Sequence, residues 1–87
     1  MKARVFVTLK PSVFDPQGST IAGALHSLGF DAVTDVRQGK YFELDLNVAS
    51  ASDAERLAAE VADRVLANPV IESFRIELPQ GAAGRAL

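Results

Sequence analysis

Apolar and polar residues alternate with period two over residues 3–10 (Ala-Arg-Val-Phe-Val-Thr-Leu-Lys). This predicts a strand with Val5, Val7 and Leu9 on one face and Arg4, Phe6, Thr8 and Lys10 on the other. The period then changes. From about Pro16 to Leu28, the residues Ile21, Ala24, Leu25 and Leu28 recur at helical spacing, and Gly29 is placed to end the helix in the left-handed region. His26, the only histidine, falls beside that stripe as a partly exposed helix residue. Residues 32–38 read as a weaker edge strand, and Gln38-Gly39-Lys40 as a tight hairpin connection in which Gly39 supplies positive φ. Residues 41–48 alternate most cleanly, with Phe42, Leu44, Leu46 and Val48 inward and Tyr41, Glu43, Asp45 and Asn47 outward. A slip of one residue would turn all four apolar side chains to water, so the register is fixed.

A second helix is expected from near Ser52, where Ser52 and Glu55 match a capping box. Its buried stripe reads Ala54, Leu57, Ala58, Val61, Ala62 and Val65. Asn68-Pro69 ends it, since Asn tolerates the cap position and Pro cannot continue a helix. Residues 70–78 give the last strand, with Val70, Phe74, Ile76 and Leu78 inward, and Pro79 closes it.

The element order is therefore β-α-β-β-α-β. Right-handed crossovers place both helices on one side, which predicts an α+β fold: a ferredoxin-like sandwich with a four-stranded antiparallel sheet and two helices on one face. One domain over residues 1–79 is expected, followed by a mobile Gly/Ala-rich tail at 80–87. The second sheet face has no helix yet carries Phe6, Tyr41 and Ile71 between charged neighbours. Such a face favours a protein partner, and a homodimer built on it or on a sheet edge is the expectation.

The connection from the first strand to the first helix holds the densest turn chemistry. Pro11 stops the strand because it has no N–H for a ladder. Asp15-Pro16 reads as a helix start, with the Asp15 carboxylate accepting from a first-turn N–H and Pro16 in the first helical position. Gly18 inside that first turn is unusual, since Gly costs a helix interior about 1 kcal/mol relative to Ala. Its missing side chain leaves room for a backbone or ligand to approach.

Composition narrows the chemistry. The 87 residues are 48% hydrophobic, too apolar for a disordered chain, and their net charge of −2 gives no general attraction to nucleic acid or anionic membrane. There is no cysteine, hence no disulfide, thiolate nucleophile or Cys-based zinc site. No apolar run approaches the roughly 20 residues that cross a bilayer, and Arg4 and Lys10 leave no room for a signal-peptide core, so a cytoplasmic protein is expected. One histidine builds no metal site without well-placed carboxylates, and no phosphate-binding glycine loop is present. Asp53, Glu55, Glu60 and Asp63 mostly lie on the solvated face of the second helix. On its residues alone, the chain is a binding or assembly module without catalytic residues, cofactor or metal.

Three classes of module share the expected topology. An RNA-recognition module needs stacking aromatics in a basic surface, and the outward Glu43 and Asp45 would repel phosphate. A regulatory domain of the ACT type, which senses amino acids, fits better, with its Gly at the start of the first helix. The third reading rests on a resemblance. Lys10 with Asp15-Pro16-Gln17-Gly18, then Ile21, Ala24-Leu25 and Leu28-Gly29-Phe30, resembles the PurS family, small subunits of phosphoribosylformylglycinamidine synthase. Val36-Arg37-Gln38-Gly39-Lys40 before Phe42-Glu43-Leu44, and Leu66-Ala67-Asn68-Pro69-Val70-Ile71-Glu72, extend the likeness as far as Pro79.

The resemblance implies a dimeric assembly element of de novo purine synthesis. It would join a glutaminase subunit (PurQ) to an ATP-dependent synthetase subunit (PurL) and assist the passage of ammonia between them. The assembled complex would use ATP, Mg2+ and glutamine, with no cofactor on this chain. The matching residues are then expected to act by position: Asp15, Pro16 and Gly18 shaping the first helix, Arg37, Gly39 and Lys40 presenting a basic hairpin to a partner, and Asn68 orienting the last strand with Glu72 at its start.

Overall fold

The strand that alternates first in the chain is the one the others pair with. In the computed structural model, which describes residues 1–79, β1 (Lys2–Leu9) lies between β2 (Gly39–Asp45) and β3 (Glu72–Glu77), antiparallel to both. Val5 sits opposite Phe42 and Ile76, and Val7 opposite Lys40 and Phe74. The expected inward set of β1 is thereby enclosed: Ala3, Val5 and Val7 are fully buried. Val5 and Val7 are flanked on both sides by a strand and Ala3 by β2 alone; burial of this kind removes apolar surface from water at roughly 25 cal/mol per Å².

Helix α2 (Ala51–Val61) covers part of this inner face. It packs on β1 and β3 with Ala54 and Ala58 buried, small side chains that let the helix approach closely, and Ala62 just past its end is buried as well. Its cap differs from expectation. Ser50, not Ser52, takes the extended cap conformation, and its hydroxyl accepts from the Asp53 N–H at 3.1 Å. The helix starts earlier because Asp53 is the residue three places on from that cap.

Beyond Val61 the chain widens into a π-helical turn, Ala62–Leu66, in which the Ala67 N–H donates to the Ala62 carbonyl at 2.9 Å. That extra residue per turn rotates the stripe, so Ala67 and Leu66 join the core while Val65, expected inward, is 75% exposed. Val70 is also exposed rather than inward, because β3 begins only at Glu72. The intervening turn is held by Asn68, whose side chain accepts from the Val70 N–H and whose carbonyl accepts from the Glu72 N–H. At the far end β2 stops at Asp45, although Leu46 still exchanges two hydrogen bonds with Met1.

The larger differences concern the first helix and the segment after it. Residues 32–38 form no strand, so the sheet of the described residues has three strands rather than four. Gly39 is not a hairpin tip either: it is the first residue of β2, paired with Thr8, and the one glycine with positive φ among the described residues is Gly29. Helix α1 (Pro16–Ser27) does not lie on the sheet. It makes no strand contact comparable with those of α2, and Ile21 and Leu28 of its apolar stripe stand in solvent, Leu28 at 73% exposure. The chain's radius of gyration of 16.1 Å exceeds the roughly 12 Å of a compact chain of this length. The fold is α+β with two helices, but one of them projects. The expected tail at 80–87 lies outside the described residues.

Candidate functional site

Nine residues singled out in the sequence, from Lys10 to Glu72, meet at the end of the sheet where α1 begins. The centre is Asp15. Its backbone is extended at the helix cap, and Oδ1 accepts from the Gly18 N–H at 2.8 Å, as a helix start with Pro16 behind it requires. The second oxygen, Oδ2, accepts from the Gln38 N–H at 2.7 Å. One carboxylate therefore ties the start of α1 to the residue that leads into β2. Asp15 is 5% exposed, yet its pKa is held below the usual aspartate value, chiefly by the Gln38 and Gly18 N–H donors and further by the Arg37 charge, against the opposing effect of burial.

Gly18 completes the clasp by lacking a side chain. A Cβ there would collide with the Val36 carbonyl oxygen, a backbone atom with no room to yield. Arg37 is exposed and also holds its own chain: its guanidinium donates to the Lys10 and Val13 carbonyls, both at 3.0 Å. Lys10 in turn donates its own N–H to the Ile71 carbonyl at 2.8 Å, carrying the network to the turn before β3. The Gln17 and Gln38 side-chain amides meet at 2.6 Å above the clasp.

On the inner sheet face beside it, Lys40 reaches across β1 to Glu72 at 3.5 Å. Glu72 also accepts from the Asn68 N–H at 2.7 Å, so its largely buried carboxylate is held from two sides. These groups line an open cleft of about 300 Å³ whose walls include Leu9, Asp15, Gln17, Gln38, Lys40 and Glu72. The arrangement offers charge and amides at fixed positions. It holds no nucleophile beside a base, and no group of metal ligands occurs among the described residues.

The outer sheet face forms a second surface. Phe6 and Tyr41 pair across β1 and β2 with ring centroids 5.1 Å apart, and the Arg75 guanidinium lies 4.2 Å over the Phe6 ring. One row along, Arg4 stands between Glu43 and Glu77, and the Tyr41 hydroxyl donates to Glu43 at 2.8 Å, which raises the phenol pKa. Ile71 is exposed but sits beyond the end of the ladder, so it does not join the Phe6–Tyr41 pair. Sequence reasoning missed Gln17, Gln38 and Arg75. The first two form a pair with no local signal, and Arg75 is distinguished from other outward charges only by the ring beneath it.

This geometry coincides with a known family. The family model that matches residues 2–80 is PurS: Phosphoribosylformylglycinamidine (FGAM) synthase. The chain is 46% identical over 82 residues to the phosphoribosylformylglycinamidine synthase subunit PurS of Bacillus subtilis (strain 168), covering 94% of this chain and 96% of that one. It is 47% identical over 75 residues to the Mycobacterium leprae subunit PurS, covering 86% and 91%. Among solved structures, B. subtilis PurS in a C2 crystal form superposes with TM-score 0.76 at 49% identity, over 87% of this chain and 94% of that chain. A chain in the structure of PurLQS from Thermotoga maritima superposes with TM-score 0.80 at 26% identity, over 87% and 93%.

Proposed function

The chain belongs to the PurS family, subunits of the phosphoribosylformylglycinamidine synthase of purine biosynthesis, and we propose that it works as a homodimeric assembly element within that enzyme. In this reading it joins a PurL-type synthetase, which uses ATP and Mg2+, to a PurQ-type glutaminase, and helps ammonia released from glutamine reach the synthetase without loss to solvent. The reaction belongs to the larger subunits. This chain supplies shape: the Asp15 clasp fixes the start of α1, and Lys40, Glu72 and the paired amides of Gln17 and Gln38 present a rigid polar surface beside it. The cytoplasm is the compartment where such a complex would work, and no helix among the described residues is long and apolar enough to cross a membrane.

The observation that carries this reading is the likeness, over most of both chains, to a chain of a PurLQS structure, taken with a site built from positioning groups alone. Two surfaces support self-association: the Phe6–Tyr41–Arg75 row of the outer face and the exposed stripe of α1. A ferredoxin-like sandwich is the plan that this reading assigns to the strands. Their order β2-β1-β3 is that of a ferredoxin-like sheet lacking one edge strand, the one expected at residues 32–38.

Sedimentation tests the assembly directly. The chain mixed with purified PurL and PurQ subunits should move as one larger species, in glutamine and Mg-ATP, and the chain alone should sediment as a dimer at micromolar concentration. Free amino acids should give no heat of binding, whereas an ACT-type sensor would bind its effector.

A further inference from the structure

On the outer sheet face, every charged side chain but one has a partner among the described residues. Lys2 pairs with Asp45, Arg75 pairs with Glu77 while covering the Phe6 ring, and Glu43 accepts from the Tyr41 hydroxyl. Arg4 is the exception. It stands on β1 directly opposite Glu43 on one side and Glu77 on the other, half-buried, yet forms no ion pair among the described residues. Its guanidinium is a planar fork of N–H donors left open to an outside acceptor. With Phe6, Tyr41, Glu43 and Glu77 it lines a shallow cleft of about 390 Å³.

Charge decides what such a cleft can hold. Lys2, Arg4 and Arg75 balance Asp45, Glu43 and Glu77, so the face steers neither anions nor cations toward it. An anion on Arg4 would lie beside two carboxylates, and a cation on Glu43 would lie beside Arg4. What the face does offer is a donor fork and a carboxylate acceptor opposite each other, next to the Tyr41 side chain, which is 48% exposed. A neutral, planar ligand with a π-face, two acceptors and an adjacent N–H answers all three features.

We propose that this face binds an oxopurine base, stacked on Tyr41, with its N7 and O6 acceptors on the Arg4 guanidinium and its N1–H on the Glu43 carboxylate. The first contact is the bidentate pairing by which a guanidinium reads the edge of guanine. The same groups reject an aminopurine: an amino group at position 6 sets donors against the donors of Arg4, and a bare N1 sets a lone pair against Glu43. The site goes beyond the assembly role proposed above, and it requires that this face stay uncovered when the chain self-associates.

The single tyrosine gives the test an unambiguous reporter. The isotope-labelled full chain is titrated with inosine and, separately, with adenosine, which differ only at positions 1 and 6 of the purine, and followed by NMR. Inosine should shift the Tyr41 ring protons and the amides of residues 4–6 and 41–43 along one saturable curve, and adenosine should bind about tenfold more weakly. Arg4→Lys keeps the charge balance but loses the fork, and should abolish the preference for inosine. Tyr41→Leu should weaken both nucleosides about tenfold. Inosine monophosphate should bind no more tightly than inosine. The assignment is overturned by the absence of a saturable shift at millimolar inosine, by equal affinity for adenosine, or by a preference that survives Arg4→Lys. Tighter, salt-sensitive binding of the monophosphate overturns it too, since Arg4 would then serve a phosphate. So do shifts confined to the cleft at Asp15, which would move the ligand to the other side of the sheet.

Discussion

The Asp15 carboxylate accepts from the Gln38 N–H at 2.7 Å across 23 residues of chain, while its other oxygen caps α1 at Gly18. Both partners are donors, so the site needs an ionised carboxylate with two acceptors. Asp15→Asn offers one oxygen and an NH2 group, and leaves one buried donor facing another. The variant should melt at lower temperature than the parent near neutral pH, and exchange the Gln38 amide faster.

The same carboxylate sets an acid limit. Its pKa is lowered in the folded chain from the ordinary 3.8, so its contribution is complete well above that value and disappears as pH falls through 3.8 toward the depressed folded value. The melting temperature of the parent should therefore drop more steeply below about pH 4 than that of Asp15→Asn. Parallel acid profiles for the two chains would show that the clasp carries no such linkage.

Gly18→Ala tests the seat against Val36. The added methyl has to displace the carbonyl oxygen that already occupies its place. A loss of about 1–3 kcal/mol is expected from overpacking of this kind, whereas an exposed helical glycine replaced by alanine gains stability. Gly23→Ala, with open space around it, supplies that second case in the same helix, and denaturant unfolding of the pair reads the difference.

Arg37 and Lys40 separate structure from docking. Arg37→Ala removes two hydrogen bonds to backbone carbonyls and should destabilise the chain, while Lys40 is half exposed and its bridge to Glu72 is worth about 0–1 kcal/mol. Lys40→Met, which removes the charge without setting a second carboxylate against Glu72, should thus leave the fold intact and weaken capture of the larger subunits. Unchanged capture would remove Lys40 from the docking surface.

Much of this architecture is legible in the residues. Period-two alternation at Val5-Val7 and Phe42-Leu44 gives the strands, Asp15-Pro16 gives one helix start, and Gly29 gives its end, because each signal acts within a few residues. The second cap lies two positions before the one the capping-box pattern predicts, since Ser50 and Ser52 both precede helix formers. Ser50→Ala should cost about 1 kcal/mol and Ser52→Ala far less. The features that the residues do not announce are long-range. The stripe of α1 states that the helix wants a cover, without stating which chain provides it. The π-helical turn that exposes Val65 has no local signature. The clasp joins Asp15 to Gln38 through a main-chain N–H that any residue but proline would offer.

In the role proposed for it, this chain lets a glutaminase feed a synthetase and performs no bond-making itself. Glutamine-dependent formation of the amidine product by purified PurL and PurQ subunits, measured with and without the chain, tests that most directly. Turnover should be low without it, rise to a plateau as it is added in proportion to the other subunits, and be absent from the chain alone. Full glutamine-dependent turnover in its absence would contradict the account.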